Sequence, residues 1–251
     1  WANYFNELKK ADHVIVNTTP CYKSLLEYIG ENYKDKVSLV YYGVDAIIPD
    51  QIPEQEKTND IIFVSTLRFY KGVNILFYVM AILLEKYHIR PHATIIGVGE
   101  DFFNLVQTVA MLDLNVSFVG GVSNYSKFQL IKQSKVAVMP HFDEYIGTVF
   151  ILEDMYCKVP TVTWDLQINR ERFGDTITYV TKFDVMKMAD EVYRILTNGY
   201  DNDKLSIGKE FVKENRTFQV TARQINDVLL KVLEEKNEKW RRNNGKVKRS
   251  S

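Results

Sequence analysis

Short β-branched runs alternate with longer helical stretches along most of this chain, and that alternation restricts the fold more than any other feature. The runs fall at residues 13–16, 37–41, 61–65, 93–97, 116–119, 135–139, 160–163 and 177–180. Each is rich in Val, Ile and Thr and continuously apolar, the pattern of a parallel strand buried on both faces. The intervening sequence predicts helices at 18–32, 72–87, 101–112, 123–133, 148–157 and 184–197, then two more at 201–214 and 217–236. Strands that alternate with helices join by right-handed crossovers, so the expected class is α/β, a Rossmann-like doubly wound parallel sheet.

One segment interrupts the series. Residues 49–59 (PDQIPEQEKTN) hold two prolines, three acids and no core residue beyond Ile52, the composition of a linker. The expected organisation is the end of an N-terminal domain at 1–45, a linker at 46–60, a complete Rossmann-like domain at 61–216, a helix at 217–236 and a basic tail without fixed structure at 237–251. The chain begins with Trp1 rather than Met, as a processed or truncated piece would.

Composition narrows the function class. Hydrophobic residues are 46% and aromatics 13% of the 251 residues, enough for a sizeable core. The longest nearly apolar run, residues 73–84, is 12 residues, short of the roughly 20 that span a bilayer. Two cysteines, Cys21 and Cys157, are too few for a disulfide framework and fit reduced thiols in a cytoplasmic protein. His13, His88 and His92 have no Cys or carboxylate at ligand spacing, so no metal is expected. Formal net charge is zero, yet residues 236–251 carry seven basic side chains against one acid. That tail is either a solvated terminus or a basic patch for an anionic membrane surface.

In an open α/β sheet, ligands bind beyond the carboxyl ends of the strands, where strand order reverses. With the strands from residue 61 onward in the order 3-2-1-4-5-6, the switch lies between the first and the fourth. The loop after the first is Thr66-Leu67-Arg68-Phe69-Tyr70-Lys71-Gly72; the loop after the fourth is Pro140-His141-Phe142-Asp143-Glu144-Tyr145-Ile146-Gly147. One brings cations and the other carboxylates to one cleft, which suits a nucleotide diphosphate joined to a polyol. Arg68 and Lys71 can neutralise phosphate oxygens. A helix start at Gly147-Thr148-Val149 offers free N–H groups to the same oxygens. Glu153 can accept from vicinal ribose hydroxyls, and the turn at Gly97 and Gly99 lets backbone approach a ligand.

Each of these residues also has a plainer reading. Arg68 and Lys71, taken alone, fit solvated surface charges; Gly97 and Gly99 fit a tight turn. Glu153 fits an exposed helix face, and His141 fits a structural histidine as well as a functional one.

Several motifs occur together in order: Val64-Ser65-Thr66-Leu67 ahead of Lys71-Gly72, Ile95-Ile96-Gly97 ahead of Gly99, Val116-Ser117-Phe118-Val119-Gly120, then Met139-Pro140, Glu144, Gly147 and Leu152-Glu153-Asp154-Met155-Tyr156-Cys157-Lys158-Val159-Pro160. This series resembles the nucleotide-sugar-binding, C-terminal half of the GT-B family of retaining glycosyltransferases (glycosyl transferases group 1 type). Ala11-Asp12-His13-Val14-Ile15-Val16 and Tyr42-Gly43-Val44-Asp45 resemble that family's last N-domain strand and its entry to the linker.

The resemblance implies roles. Lys71 would contact the donor diphosphate, Glu153 the ribose, and Glu144 the donor sugar. Backbone at Gly147, Thr148 and Val149 would meet phosphate or sugar oxygens, backbone near Gly121 and Val122 would border the base, and the helix at 217–236 would pack back on the N-terminal part. Thr66 stands where the family has an arginine, which leaves Arg68 as the nearby guanidinium. Glu144 and Glu153 are separated by one residue more than the family's paired glutamates, and Lys158 stands where the family has glycine. That substitution is tolerable where the helix ends without a left-handed residue.

The expected function is transfer of a sugar from a nucleotide-diphosphate sugar (UDP- or GDP-linked) with retention, without metal or cofactor. The acceptor is a glycan, lipid or protein that the side chains do not identify, and nucleic acid is not expected as a partner. The alternatives are a catalytically degenerate binding module and a nucleotide-sugar epimerase of the same fold. Because the family's acceptor side lies mainly in its N-terminal domain, this chain is expected to bind donor and transfer it poorly.

Overall fold

The computed structural model describes residues 2–142 and 149–247. The chain divides into two compact units, residues 44–217 and residues 1–43 with 218–251.

The smaller unit starts with helix α1 (Ala2–Lys10), strand β1 (Val14–Val16), helix α2 (Thr19–Ile29) and strand β2 (Val37–Leu39). β1 and β2 pair in parallel, Val14 opposite Val37. Thr18 caps α2, its hydroxyl accepting from Cys21 N, and Pro20 fills the first turn, where its missing N–H is not needed. Leu25, Leu26, Ile29 and Val37 form the small core.

The larger unit holds helix α3 (Ile47–Gln51), strand β3 (Asn59–Val64), α4 (Val73–Tyr87), β4 (Ala93–Ile96), α5 (Phe102–Met111), β5 (Val116–Gly120), α6 (Asn124–Lys132), β6 (Ser134–Met139), α7 (Phe150–Tyr156), β7 (Thr161–Trp164), α8 (Gln167–Phe173), β8 (Thr178–Val180), α9 (Val185–Asn198) and α10 (Asn202–Asn215). Its six-stranded sheet has the order β5-β4-β3-β6-β7-β8, and every pairing is parallel. This is the 3-2-1-4-5-6 order expected for a doubly wound sheet, and the switch lies between β3 and β6. α4 packs with α5 and α9 over one face, α6 with α3 and α7, and α10 with α7 over the other. Tyr87 of α4 stacks on Tyr193 of α9 at 3.9 Å. β4 and β7 are buried at every residue, the consequence of helices on both faces. Edge strand β5 alternates between intermediate and exposed residues.

The last helix, α11 (Phe218–Val247), belongs to the smaller unit. Thr221 Oγ1 donates to Tyr41 O at 3.0 Å, and Lys236 Nζ meets Asp12 Oδ2 at 2.6 Å.

Four features differ from the sequence reading. The segment expected as a linker at 46–60 is packed rather than loose: Asp45 Oδ1 accepts from Ile47 N and Ile48 N, α3 follows, and Ile52 is buried. α8 was not expected; its seven residues have no run long enough to show helical periodicity. α11 continues through residues 237–247, expected to lack structure; acidic residues precede basic ones by one turn, as in the Glu238–Arg242 pair at 2.8 Å. Finally, the helix before Val159-Pro160 does end on a left-handed residue, because Lys158 adopts φ 55°. That conformation costs a non-glycine residue roughly 1–2 kcal/mol.

Candidate functional site

The site forms where β3, β4 and β6 deliver their carboxyl-end loops. After β3 the chain turns on Leu67, which is fully buried; its N–H donates to Val98 O at 3.0 Å and its carbonyl accepts from Asp101 N at 3.3 Å. Phe69 N donates to Asp101 Oδ2 at 2.7 Å. These bonds lock the β3 loop onto the β4 loop, and the contact is close. A Cβ on Gly97 would lie 1.8 Å from Ser65 O, and one on Gly99 would lie 2.1 Å from Leu67 O.

The β3 and β6 loops are joined in the same way. Gly72, left-handed at φ 81°, opens α4 beneath the carbonyl of Pro140, 2.1 Å from where its Cβ would stand. Phe142 N donates to Tyr70 O at 3.1 Å, and the Phe69 and Phe142 rings meet edge-on at 6.0 Å. Trp164 Nε1 donates to Pro140 O at 2.9 Å. The two loops that flank the switch point are therefore held at a fixed separation.

The predicted residues fall as follows. Thr66 and Arg68 are exposed on the β3 loop. Arg68 is engaged, its Nη2 at 2.8 Å from Glu100 Oε1, with both side chains well exposed. Lys71 is half-buried at the foot of α4, its ammonium 5.1 Å from the Tyr70 ring centre, and it has no carboxylate partner among the described residues. Val122 is half-buried against the core immediately before α6. Val149 is half-buried at the start of α7. Glu144, Gly147 and Thr148 lie outside the described residues.

Glu153 is not on an exposed helix face: it is 7% exposed. Its Oε1 accepts from Lys127 Nζ at 2.6 Å, while Oε2 has no hydrogen-bond partner among the described residues. Burial raises the carboxyl pKa, with the Lys127 charge opposing. Lys127, on α6, was not anticipated from sequence. Its ammonium lies 4.8 Å from the Phe128 ring centre and 5.8 Å from that of Phe150, so apolar and charged partners fix it together. The neighbouring Asp154 was missed as well. It is fully buried, and neither carboxylate oxygen has a partner among the described residues. Burial first, and the Glu153 charge second, push its pKa well up.

His141 is 3% exposed, with Nδ1 at 3.2 Å from Met139 O. Cys157 is buried and its thiol pKa is pushed up by that burial, which removes it as a nucleophile. Among the described residues no group of three His, Cys, Asp or Glu side chains could hold a metal ion, and no helix is long and apolar enough to cross a membrane. The switch-point loops thus hold the cations Arg68 and Lys71, and α6 and α7 hold the buried Lys127–Glu153 pair.

The family model of glycosyl transferases group 1 matches residues 44–211. No curated protein matches the chain by sequence. Among solved structures, S. aureus TarM, in a variant bound to fondaparinux, α-GlcNAc-glycerol and UDP, superposes with TM-score 0.74 at 18% identity over 88% of this chain and 44% of that one. The pneumococcal O-GlcNAc transferase GtfA, in complex with UDP and GlcNAc, gives TM-score 0.72 at 14% identity over 91% and 47%. Anabaena HepE in complex with UDP-glucose gives 0.73 at 18% over 88% and 64%. The chain spans about half the length of the first two, and at these identities the likeness is one of fold.

Proposed function

The chain belongs to the glycosyl transferases group 1 family, and on that premise we propose that its larger unit binds a UDP-sugar as the donor half of a retaining, metal-independent glycosyltransferase. The observation that carries this reading is Glu153: a carboxylate almost wholly buried, clamped on one oxygen by Lys127, with the other oxygen unpartnered among the described residues. A buried acceptor without a donor is costly, and a ribose hydroxyl supplies the donor. Lys71 meets the diphosphate as a point charge. Arg68 adds a second cation by leaving Glu100, an exposed pair worth about 1 kcal/mol or less.

In transfer, the bond between the anomeric carbon and the diphosphate oxygen breaks, and the bonding electrons leave with the diphosphate. Lys71 and Arg68 stabilise the charge that develops there. Retention brings the acceptor oxygen to the face the diphosphate leaves, next to the same cations. Glu144 contacts the donor sugar in this reading, on the resemblance alone. UDP in the TarM and GtfA structures and UDP-glucose in the HepE structure support uracil as the base. One observation favours a second reading, a module that binds donor without transfer. Thr66 takes the place of the family arginine, and the substitute Arg68 is already tied to Glu100.

Titration calorimetry with UDP tests the site. Lys71→Ala and Glu153→Gln are each expected to weaken binding about 10- to 100-fold, the loss of one charge-assisted hydrogen bond. UDP binding with the wild-type constant in both variants would sink the assignment. Release of free sugar or glycoside from UDP-sugar, measured beside the binding, separates the enzyme from the module.

A further inference from the structure

A second cleft, of about 500 Å³, opens at the other end of the sheet. It lies where β6 and β7 begin, bordered by Lys135 at the start of β6 and by Pro160 just ahead of β7. Four lysines line it, Lys57, Lys132, Lys135 and Lys158, against the single carboxylate of Glu54. β6 is six residues long, so at about 3.3 Å per residue this cleft is roughly 17 Å from the switch point. No single nucleotide diphosphate group reaches both.

Among the described residues, only one of these lysines is held in an ion pair. Lys135 meets Asp60 at 2.8 Å. Lys57 Nζ donates to Lys132 O at 2.8 Å, Lys132 Nζ to Pro49 O and Ile52 O, and Lys158 Nζ to Ser206 Oγ at 3.2 Å. Three of the four ammonium groups therefore hold only neutral oxygens, and each has three N–H donors. The amino end of α10 adds Asn202 and Ser206 to the lining, and Tyr200 with its apolar neighbours supplies a surface for an organic body. Lys158 closes the end of α7 in a left-handed conformation, φ 55°, that glycine would adopt without strain.

We propose that this cleft binds a phosphate-bearing small molecule, with Lys57 and Lys158 as the principal anion contacts and Lys132 behind them. It is a second ligand site, independent of the donor cleft. Calorimetric titration of the full chain with inorganic pyrophosphate and with glucose 6-phosphate tests it. The titrations are run in saturating UDP and repeated in the Lys71→Ala background, so that the donor cleft does not contribute even if it takes no UDP. At least one probe is expected to bind. Lys57→Ala and Lys158→Gly are each expected to weaken that binding tenfold or more, with UDP affinity unchanged. Lys158→Gly is expected to keep or raise the melting midpoint, so its loss of binding is not loss of fold. If the lysines serve only to hold carbonyls at the ends of α3 and α6 and the Ser206 hydroxyl, neither probe binds. That result, or binding that both variants leave within twofold of wild type, would overturn the proposal.

Discussion

Gly97→Ala is expected to cost the larger unit at least 3–4 kcal/mol, at the extreme end of single substitutions. The new methyl group would stand 1.8 Å from Ser65 O, a distance no relaxation of a side chain can relieve, because the obstacle is backbone. Neither strand can give way. Ser65 N is bonded to Ile96 O, and Gly97 N to Gly120 O. The backbone at Gly97 has φ 142°, a region that adds a further ~1–3 kcal/mol for an L side chain. Gly121 supplies the control. It lies one strand away, without positive φ and with no atom within 4 Å of its would-be Cβ, so Gly121→Ala is expected within about 0.5 kcal/mol of wild type. Urea denaturation of both variants measures the contrast. A Gly97→Ala protein within 1 kcal/mol of wild type would show that the three loops are not locked as described.

Asp154→Asn should act in the opposite direction, and only above the acid range. The Asp154 carboxyl is fully buried without a hydrogen-bond partner among the described residues. Burial, then the Glu153 charge, hold its pKa well above the ordinary value. In the unfolded chain the same group loses its proton near pH 4. Above that pH the folded carboxyl keeps a proton that the unfolded one has released, so folding takes up a proton and stability falls as pH rises. The amide has no proton to take up and nearly the same shape. The variant is therefore expected to match wild type at pH 4 and to be the more stable of the two at pH 7.5, with the higher Tm. Thermal unfolding at both pH values decides it. An equal shift at both, or a loss of stability at pH 7.5, would mean that Asp154 is charged in the fold.

The order of the six strands was legible because each run from Ile61 to Val180 is continuously apolar, and helix-forming sequence separates most of them. Topology then followed from crossover handedness. α8 escaped because seven residues are too few to display a period. The left-handed Lys158 escaped because lysine does not itself announce the conformation; the helix end sets it, with Lys158 N donating to Met155 O and Val159 N to Asp154 O. In the site, the glycine-rich turn and Lys71 could be read because loops at strand ends announce themselves by position. Lys127 could not, since it meets Glu153 from 26 residues away through two helices. The burial of Glu153 and Asp154 was hidden for a related reason. α7 is covered by β6 and β7 on one side and by α6 and α10 on others, so nearly its whole circumference is interior, and the two acids occupy positions that periodicity assigns to solvent.

The inert thiol of Cys157 gives the molecule a built-in gauge. Cys21, half-buried, lies in one unit and Cys157, buried, in the other. A maleimide added to the native protein should mark Cys21 on ordinary contact. Its capture of Cys157, buried at the end of α7 and bordering the second cleft, is expected to be slower. The slow fraction of that labelling then reports on the larger unit alone, without denaturant.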